Sequence, residues 1–209
     1  MKPQIGHGID VSKWQDPDSV PFAQIANDRP EPGWITSCYV RATYGSRHDA
    51  RFAEHVDRAW AAGFDRVGAY HFFRIAEEVQ AQCLAFYDQT KFAGLNAQPV
   101  LDVEADGKSR PTPDWVPRIV EALNVLQWDS GLLPILYTNW SSWEAMGRPS
   151  VLLAWPWWIA HYTTKPRPAA PEGAEIVAWQ HCVAPYRGPH AVGGVAGGRG
   201  VLDQNRIYA

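Results

Sequence analysis

Pro99-Val100-Leu101-Asp102-Val103-Glu104 is a short apolar run that ends on two acids. Its composition and length are those of a buried strand. Aspartate is a poor strand former and costly to bury, so acids at a strand end call for an explanation. Strand alternation sends Leu101 and Val103 outward, against helices, and Asp102 and Glu104 inward on one face. Their Cα atoms then lie about 7 Å apart, at roughly 3.3 Å rise per residue. Like charges that close resist joint ionisation, so one carboxyl can keep its proton near neutral pH.

Outward from this segment, apolar runs alternate with helix-period stretches in both directions. Upstream, Ile5–Asp10, Thr36–Thr43 and Arg66–Phe73 read as strands, with one irregular helix expected over the Pro-rich Pro17–Asn27. A second helix is expected with Asp49 as N-cap, an apolar stripe at Phe52, Val56 and Trp60, and Gly63 as its stop. Ala76–Phe92 carries Val79, Cys83, Phe86 and Tyr87 at helical spacing. Downstream, Thr112-Pro113 reads as an N-cap with Pro at the first helical position, and Val116, Ile119, Val120, Leu123 and Leu126 share one face of the helix it opens. Pro134–Thr138 is a fifth strand, followed by a short helix ending near Gly147. Trp157–Tyr162, Glu175–His181 and Val201–Ile207 are three more strands with little room for helices between them.

A repeated strand–helix order implies parallel strands with right-handed crossovers. Eight strands in 209 residues suit an α/β fold of a particular kind: an irregular TIM-like β/α barrel with about five helices, the later ones lost. An open doubly wound sheet competes with it. That architecture's cofactor signatures are missing, since no Gly-x-Gly-x-x-Gly follows a strand and no phosphate-loop Gly-Lys-Ser/Thr occurs. The glycines of Gly193–Gly200 match neither and read as a turn into the last strand.

In a barrel the strand ends share one pocket. Asp10 closes the first strand, Asp102 and Glu104 end the fourth, and Asp203 lies in the last, in Val201-Leu202-Asp203-Gln204-Asn205. A lone Asp-x-Glu is as often a solvated strand end or an arginine's partner. Four carboxylates from three strands of one barrel have a shared use. Glycoside hydrolysis needs such a set: an acid to protonate the leaving oxygen and a carboxylate to stabilise developing positive charge.

The rest of the composition narrows the field. A net charge of −3 without a basic run gives no reason to bind nucleic acid. No stretch is apolar and long enough to span a bilayer, and the N-terminus has no apolar signal segment. Eleven tryptophans are compatible with sugar binding, though most are expected in the core. Cys38, Cys83 and Cys182, an odd set at unrelated spacings, read as buried thiols rather than a disulfide framework. No His-Glu-x-x-His or Cys-x-x-Cys word supports a metal site, and no cofactor is expected.

Gly8-Ile9-Asp10-Val11-Ser12-Lys13-Trp14-Gln15, Gly68-Ala69-Tyr70-His71-Phe72, Leu101-Asp102-Val103-Glu104, Tyr137-Thr138-Asn139, Trp158-Ile159-Ala160-His161-Tyr162, Trp179-Gln180 and Leu202-Asp203-Gln204-Asn205 together resemble glycoside hydrolase family 25, the Chalaropsis-type muramidases. The resemblance runs from about Ile5 to Ile207 and implies a single catalytic domain over residues 1–209, with no separate wall-binding domain. It implies a lysozyme acting, as a monomer, on the β-1,4 bond from N-acetylmuramic acid to N-acetylglucosamine in bacterial peptidoglycan. It places the acid on Glu104 and its partner on Asp102, with Asp10 and Asp203 flanking them. Tyr70, Tyr137 and Trp158 match aromatic positions near the sugar. His71 and His161 match strand positions close to the pocket, where a hydrogen-bonded structural role is also open. Where many members carry Lys and Glu on the second strand, this chain has Arg41 and Tyr44.

Retention through the substrate's own acetamido group and inversion through a base-activated water both fit this reading. The rivals are a chitinase-like glycosidase, against which Val100 stands where an acidic run would continue, and a glycan-binding barrel without turnover. A chain made without a signal peptide suits a phage endolysin released through a holin, or a phage-derived bacterial gene. A secreted lysozyme in its mature form is the alternative.

Overall fold

The computed structural model describes residues 2–107, 109–184 and 202–209. Among these, the strands are β1 (Gln4–Val11), β2 (Ile35–Tyr44), β3 (Arg47–His48), β4 (Arg66–Phe72), β5 (Val100–Asp102), β6 (Ile135–Asn139), β7 (Trp157–Ala160), β8 (Ile176–Ala184) and β9 (Leu202–Tyr208). The helices are α1 (Phe22–Asn27), α2 (Phe52–Ala62), α3 (Val79–Thr90), α4 (Val116–Ser130) and α5 (Trp140–Ala145). Eight strands close a barrel in the order β1-β2-β4-β5-β6-β7-β8-β9 and back to β1, and β3 only extends a hairpin from β2. The expected α/β barrel is therefore present.

Its direction differs from expectation in one strand. Among the eight barrel strands every pairing from β1 through β8 is parallel, but β9 runs antiparallel to both β8 and β1. A parallel neighbour needs a crossover that returns the chain to the barrel's other end, whereas an antiparallel one does not. Gly193–Gly200 and Val201, expected to lead into this strand, lie outside the described residues.

Alternation along the strands separates two apolar layers. Outward-facing Val40, Val67, Leu101, Leu136, Ile159 and Trp179 pack with Phe52 and Val56 of α2, Phe86 of α3 and Ile119 and Leu123 of α4. Inward-facing Tyr39, Val100, Ile135, Tyr137, Trp158, Ala178 and Ile207 fill the barrel. Gly68 belongs to this filling, because a Cβ there would stand 2.4 Å from the Tyr39 ring. Tyr39 in turn lies against Trp158, with ring centroids 5.1 Å apart.

The helices carry smaller corrections. In α2 the buried stripe is Phe52, His55, Val56 and Ala59, while Trp60 is half-exposed. At 100° per residue Trp60 falls about 80° from Phe52, on the stripe's edge. Gly63 does end α2, at φ 86°, a left-handed turn that glycine adopts without strain. By its bounds α2 starts after Arg51 rather than Asp49, yet Asp49 still holds that end: its Oδ1 accepts the Arg51 N–H (3.0 Å) while its Oδ2 pairs with Arg41. The expected single helix over Pro17–Asn27 is split into a 3-10 turn, Pro17–Ser19, and α1, with Pro21 at the break. Thr112 makes no side-chain cap; Pro113–Trp115 forms a 3-10 turn before α4. Cys38, Cys83 and Cys182 are all buried, as expected.

Candidate active site

At the end of the barrel where the parallel strands finish, a cleft of about 390 Å³ opens. Asp10, Asp102, Glu104 and Asp203 all line it, as do Arg41, Tyr70, Tyr137 and Trp158. Asp10 is the seventh residue of β1 and sits directly opposite Asp203 across the β1–β9 ladder. Asp203 reaches this end because β9 runs downward, so that the strand's start, rather than its finish, is at the mouth. Asp102 ends β5, between Phe72 of β4 and Tyr137 of β6. The chain stays extended past it, since the Val103 N–H donates to the Tyr137 carbonyl (2.9 Å) and the Thr138 hydroxyl to the Val103 carbonyl (2.7 Å). Alternation then returns Glu104 to the side that Asp102 faces.

Burial dominates the electrostatics. It pushes the Glu104 carboxyl up to about 7, with the Asp10 charge adding to it. Asp10 itself is raised by burial only to about 6, because hydrogen bonds from Asn205 and Gln180 favour its anion. Asp102 and Asp203 are raised well above the usual carboxylate range, by burial first and then by the neighbouring acids. Arg41 opposes this at Asp102, but its guanidinium is buried against Asp49, with Nη2 2.8 Å from Oδ2. Asp102 Oδ1 is buried without a hydrogen-bond partner among the described residues.

Asp10 anchors a polar network across four further strands. Its Oδ2 accepts from Asn205 Nδ2 (2.8 Å) and Gln180 Nε2 (3.1 Å). Asn205 Oδ1 accepts the indole N–H of Trp158 (2.8 Å), and Gln180 Oε1 accepts the hydroxyls of Tyr137 (2.8 Å) and Tyr162. Tyr137 is buried and Tyr70 half-buried among the acids, and loss of water around them with the nearby charges holds both phenols well above their usual range.

The two histidines lie elsewhere. His71 is enclosed between barrel and α3, bonded to Thr43 Oγ1 (2.7 Å) and Gln82 Oε1 (3.0 Å), and burial drives it down to about 4. It faces away from the cleft, as parity demands between inward Tyr70 and Phe72. His161 accepts from the Ala169 N–H (2.8 Å) and does not line the cleft.

Gln180, Asn205, Tyr162 and Trp14 line or brace the cleft without having been singled out from sequence. Gln180 and Asn205 could have been found by alternation, since they share the inward parity of Ala178 and Asp203 on their strands. Tyr44 and Arg41, the two departures on the second strand, both line the cleft although three residues apart, a spacing that strict alternation would put on opposite faces. A bulge in β2 between Arg41 and Thr43 shifts the parity and makes room for both. Tyr44 stacks on Phe72 with centroids 4.6 Å apart and receives a hydrogen bond from Arg74 (2.9 Å). Trp14 stands at the rim, 77% exposed.

The sequence matches the family profile described as glycosyl hydrolases family 25 over residues 9–186, which includes all of the carboxylates but Asp203. The chain belongs to family 25 of the glycosyl hydrolases. It is thus a glycoside hydrolase domain of the lysozyme type. The bacterial lysozyme of Streptomyces coelicolor superposes with a TM-score of 0.74 at 26% identity, over 96% of this chain and 91% of that one. A muramidase from Acremonium alcalophilum gives 0.77 at 22% identity, over 97% and 93%. An uncharacterised protein of Escherichia coli K12, YegX, is 28% identical over 84% of this family 25 chain. The chain spans 62% of the length of that relative.

Proposed function

We propose that this family 25 domain is an N-acetylmuramidase, cutting the β-1,4 bond from N-acetylmuramic acid to N-acetylglucosamine in bacterial peptidoglycan. One observation carries the reading: four carboxylates from three strands meet in a buried, tyrosine-lined cleft, and one of them, Glu104, is raised to about 7. An acid with that affinity for its proton is charged with it at neutral pH and can still release it.

In this reading Glu104 protonates the leaving glycosidic oxygen as its bond to the anomeric carbon breaks. Asp102 Oδ1, buried and without a partner among the described residues, takes the N–H of the substrate's 2-acetamido group. Held so, the acetamido carbonyl oxygen attacks the anomeric carbon and forms an oxazolinium ion. The positive charge that develops on the acetamido group strengthens that hydrogen bond, so Asp102 stabilises the ion without changing its own protonation. Glu104, now a carboxylate, takes a proton from the water that opens the ring, and the configuration is retained. Tyr70, Tyr137 and the rim Trp14 offer ring faces to the sugars.

Glu104→Gln tests the acid. It keeps size and hydrogen bonding but holds no transferable proton, and release of fragments from purified wall should fall about 10²–10⁴-fold. Full activity would remove Glu104 from the role. Mass spectrometry of the wild-type fragments tests the bond: muramic acid at the new reducing end supports the reading, and glucosamine there sinks it. NMR of the first-formed anomer decides between retention and inversion.

A further inference from the structure

Asp10 accepts two amide N–H groups on one oxygen, and the far ends of those amides show that this is built rather than incidental. An Asn or Gln side chain can be turned end for end with little change in shape, so its partners must fix it. Asn205 has such a partner. The indole nitrogen of Trp158 can only donate, and it lies 2.8 Å from Asn205 Oδ1. Asn205 must therefore turn its oxygen to Trp158 and its NH₂ to Asp10. Gln180 Oε1 meets two hydroxyls, from Tyr137 and Tyr162; a hydroxyl can accept as well as donate, so these orient Gln180 without locking it as Trp158 locks Asn205. Two N–H donors on one carboxyl oxygen favour the anion, because a proton placed there would face a donor.

We propose that Asn205, locked by Trp158, and Gln180 are positioning residues that keep Asp10 the ionised member of the four-acid cluster, and that the fixed charge of Asp10 holds the catalytic proton on Glu104. This rests on Glu104 being the acid. Asp10 faces Asp203 across β9, Asp102 and Glu104 from β5 and Arg41 from β2, along with the hydroxyls of Tyr70, Tyr137 and Tyr162 and the buried Cys38 thiol. Arg41 is engaged with Asp49 and is the cation among the described residues lining the cleft. Asp106 also lines the cleft but is taken by Arg74 (3.3 Å), and the other four acids, beside one cation already paired, cannot all be charged, so which one ionises is decided by local hydrogen bonds. Asp10 has two such bonds from side chains, whereas Asp102 leaves an oxygen without any among the described residues. The direction of the shifts agrees, with side-chain hydrogen bonds lowering Asp10 alone of the four and its charge raising the other three.

The test is the pH profile of kcat/KM, whose basic limb follows loss of the proton from the acid. Asn205→Leu removes a donor from Asp10, so Asp10 becomes neutral more readily and Glu104 loses its proton more easily. The basic limb should move to lower pH by about 0.5–1 unit. Asp10→Asn should move it the same way, and the double variant should move it no further than Asp10→Asn alone. A merely structural role for Asn205 would lower the rate with the limb in place, and that outcome, or additive shifts, overturns the proposal. Carboxyl ¹³C NMR of the wild-type protein tests it without a variant. Asp10 should give up its proton at the lowest pH of the four acids; earlier ionisation of Asp102 or Asp203 overturns it. An inactive Glu104→Gln with an unmoved Asn205→Leu limb sinks this inference alone, whereas an active Glu104→Gln sinks the assignment of the acid.

Discussion

His71 and Asp102 lie on adjacent paired strands, yet only one of them faces the cleft. His71 belongs to the join between barrel and α3, where its two ring nitrogens satisfy Thr43 and Gln82. Gln82 passes the connection on, accepting the Arg74 N–H (2.9 Å) and donating to the Glu77 carbonyl (3.1 Å), so it pins the β4–α3 turn. Replacing His71 by Leu would strand two buried polar groups, each costing about 1–3 kcal/mol. Urea unfolding should show a loss of about 2–4 kcal/mol, with KM for soluble glycan fragments unchanged in the protein that remains folded. A raised KM at unchanged stability would instead bring His71 back to the substrate.

At the scale of elements, the barrel's interior depends on an exchange between β2 and β4. Gly68 gives up its side chain so that the Tyr39 ring can cross the barrel to Trp158. Gly68→Ala should cost about 1–3 kcal/mol in denaturant unfolding, as overpacking does. The double change Gly68→Ala with Tyr39→Leu should recover part of that loss, and failure to recover would mean the ring is not the obstacle. Period-two apolar runs made the eight barrel strands legible in the sequence, and acids in otherwise apolar strands made the carboxylates stand out. Strand direction was not legible, because Leu202–Tyr208 has the same alternation read either way. The bulge in β2 was equally silent, since its effect is a shift of register against β4 rather than a change in residue type. Gln180 and Asn205 were passed over because a neutral amide signals no chemistry until its partners are known.

For the whole molecule, a cleft built from buried acids has a cost that depends on pH. A carboxyl whose folded pKa is raised binds its proton more tightly in the native state than in the unfolded one. It therefore does not weaken the fold below the unfolded value and weakens it progressively as pH rises toward the folded value. For Glu104 that window runs from about 4.5 to about 7. His71 and His181, both driven down to about 4 by burial, act with the opposite sign between that value and 6.5, so the total profile mixes the two. Comparing wild type with Glu104→Gln removes the mixing, because the histidines are common to both. The variant should match wild type in thermal stability near pH 4 and exceed it by pH 8, by on the order of 3 kcal/mol if the full shift is realised. A difference that stays flat from pH 4 to 8 would mean that Glu104 ionises as it would in water, and a side chain that does so cannot hold a proton for catalysis at neutral pH.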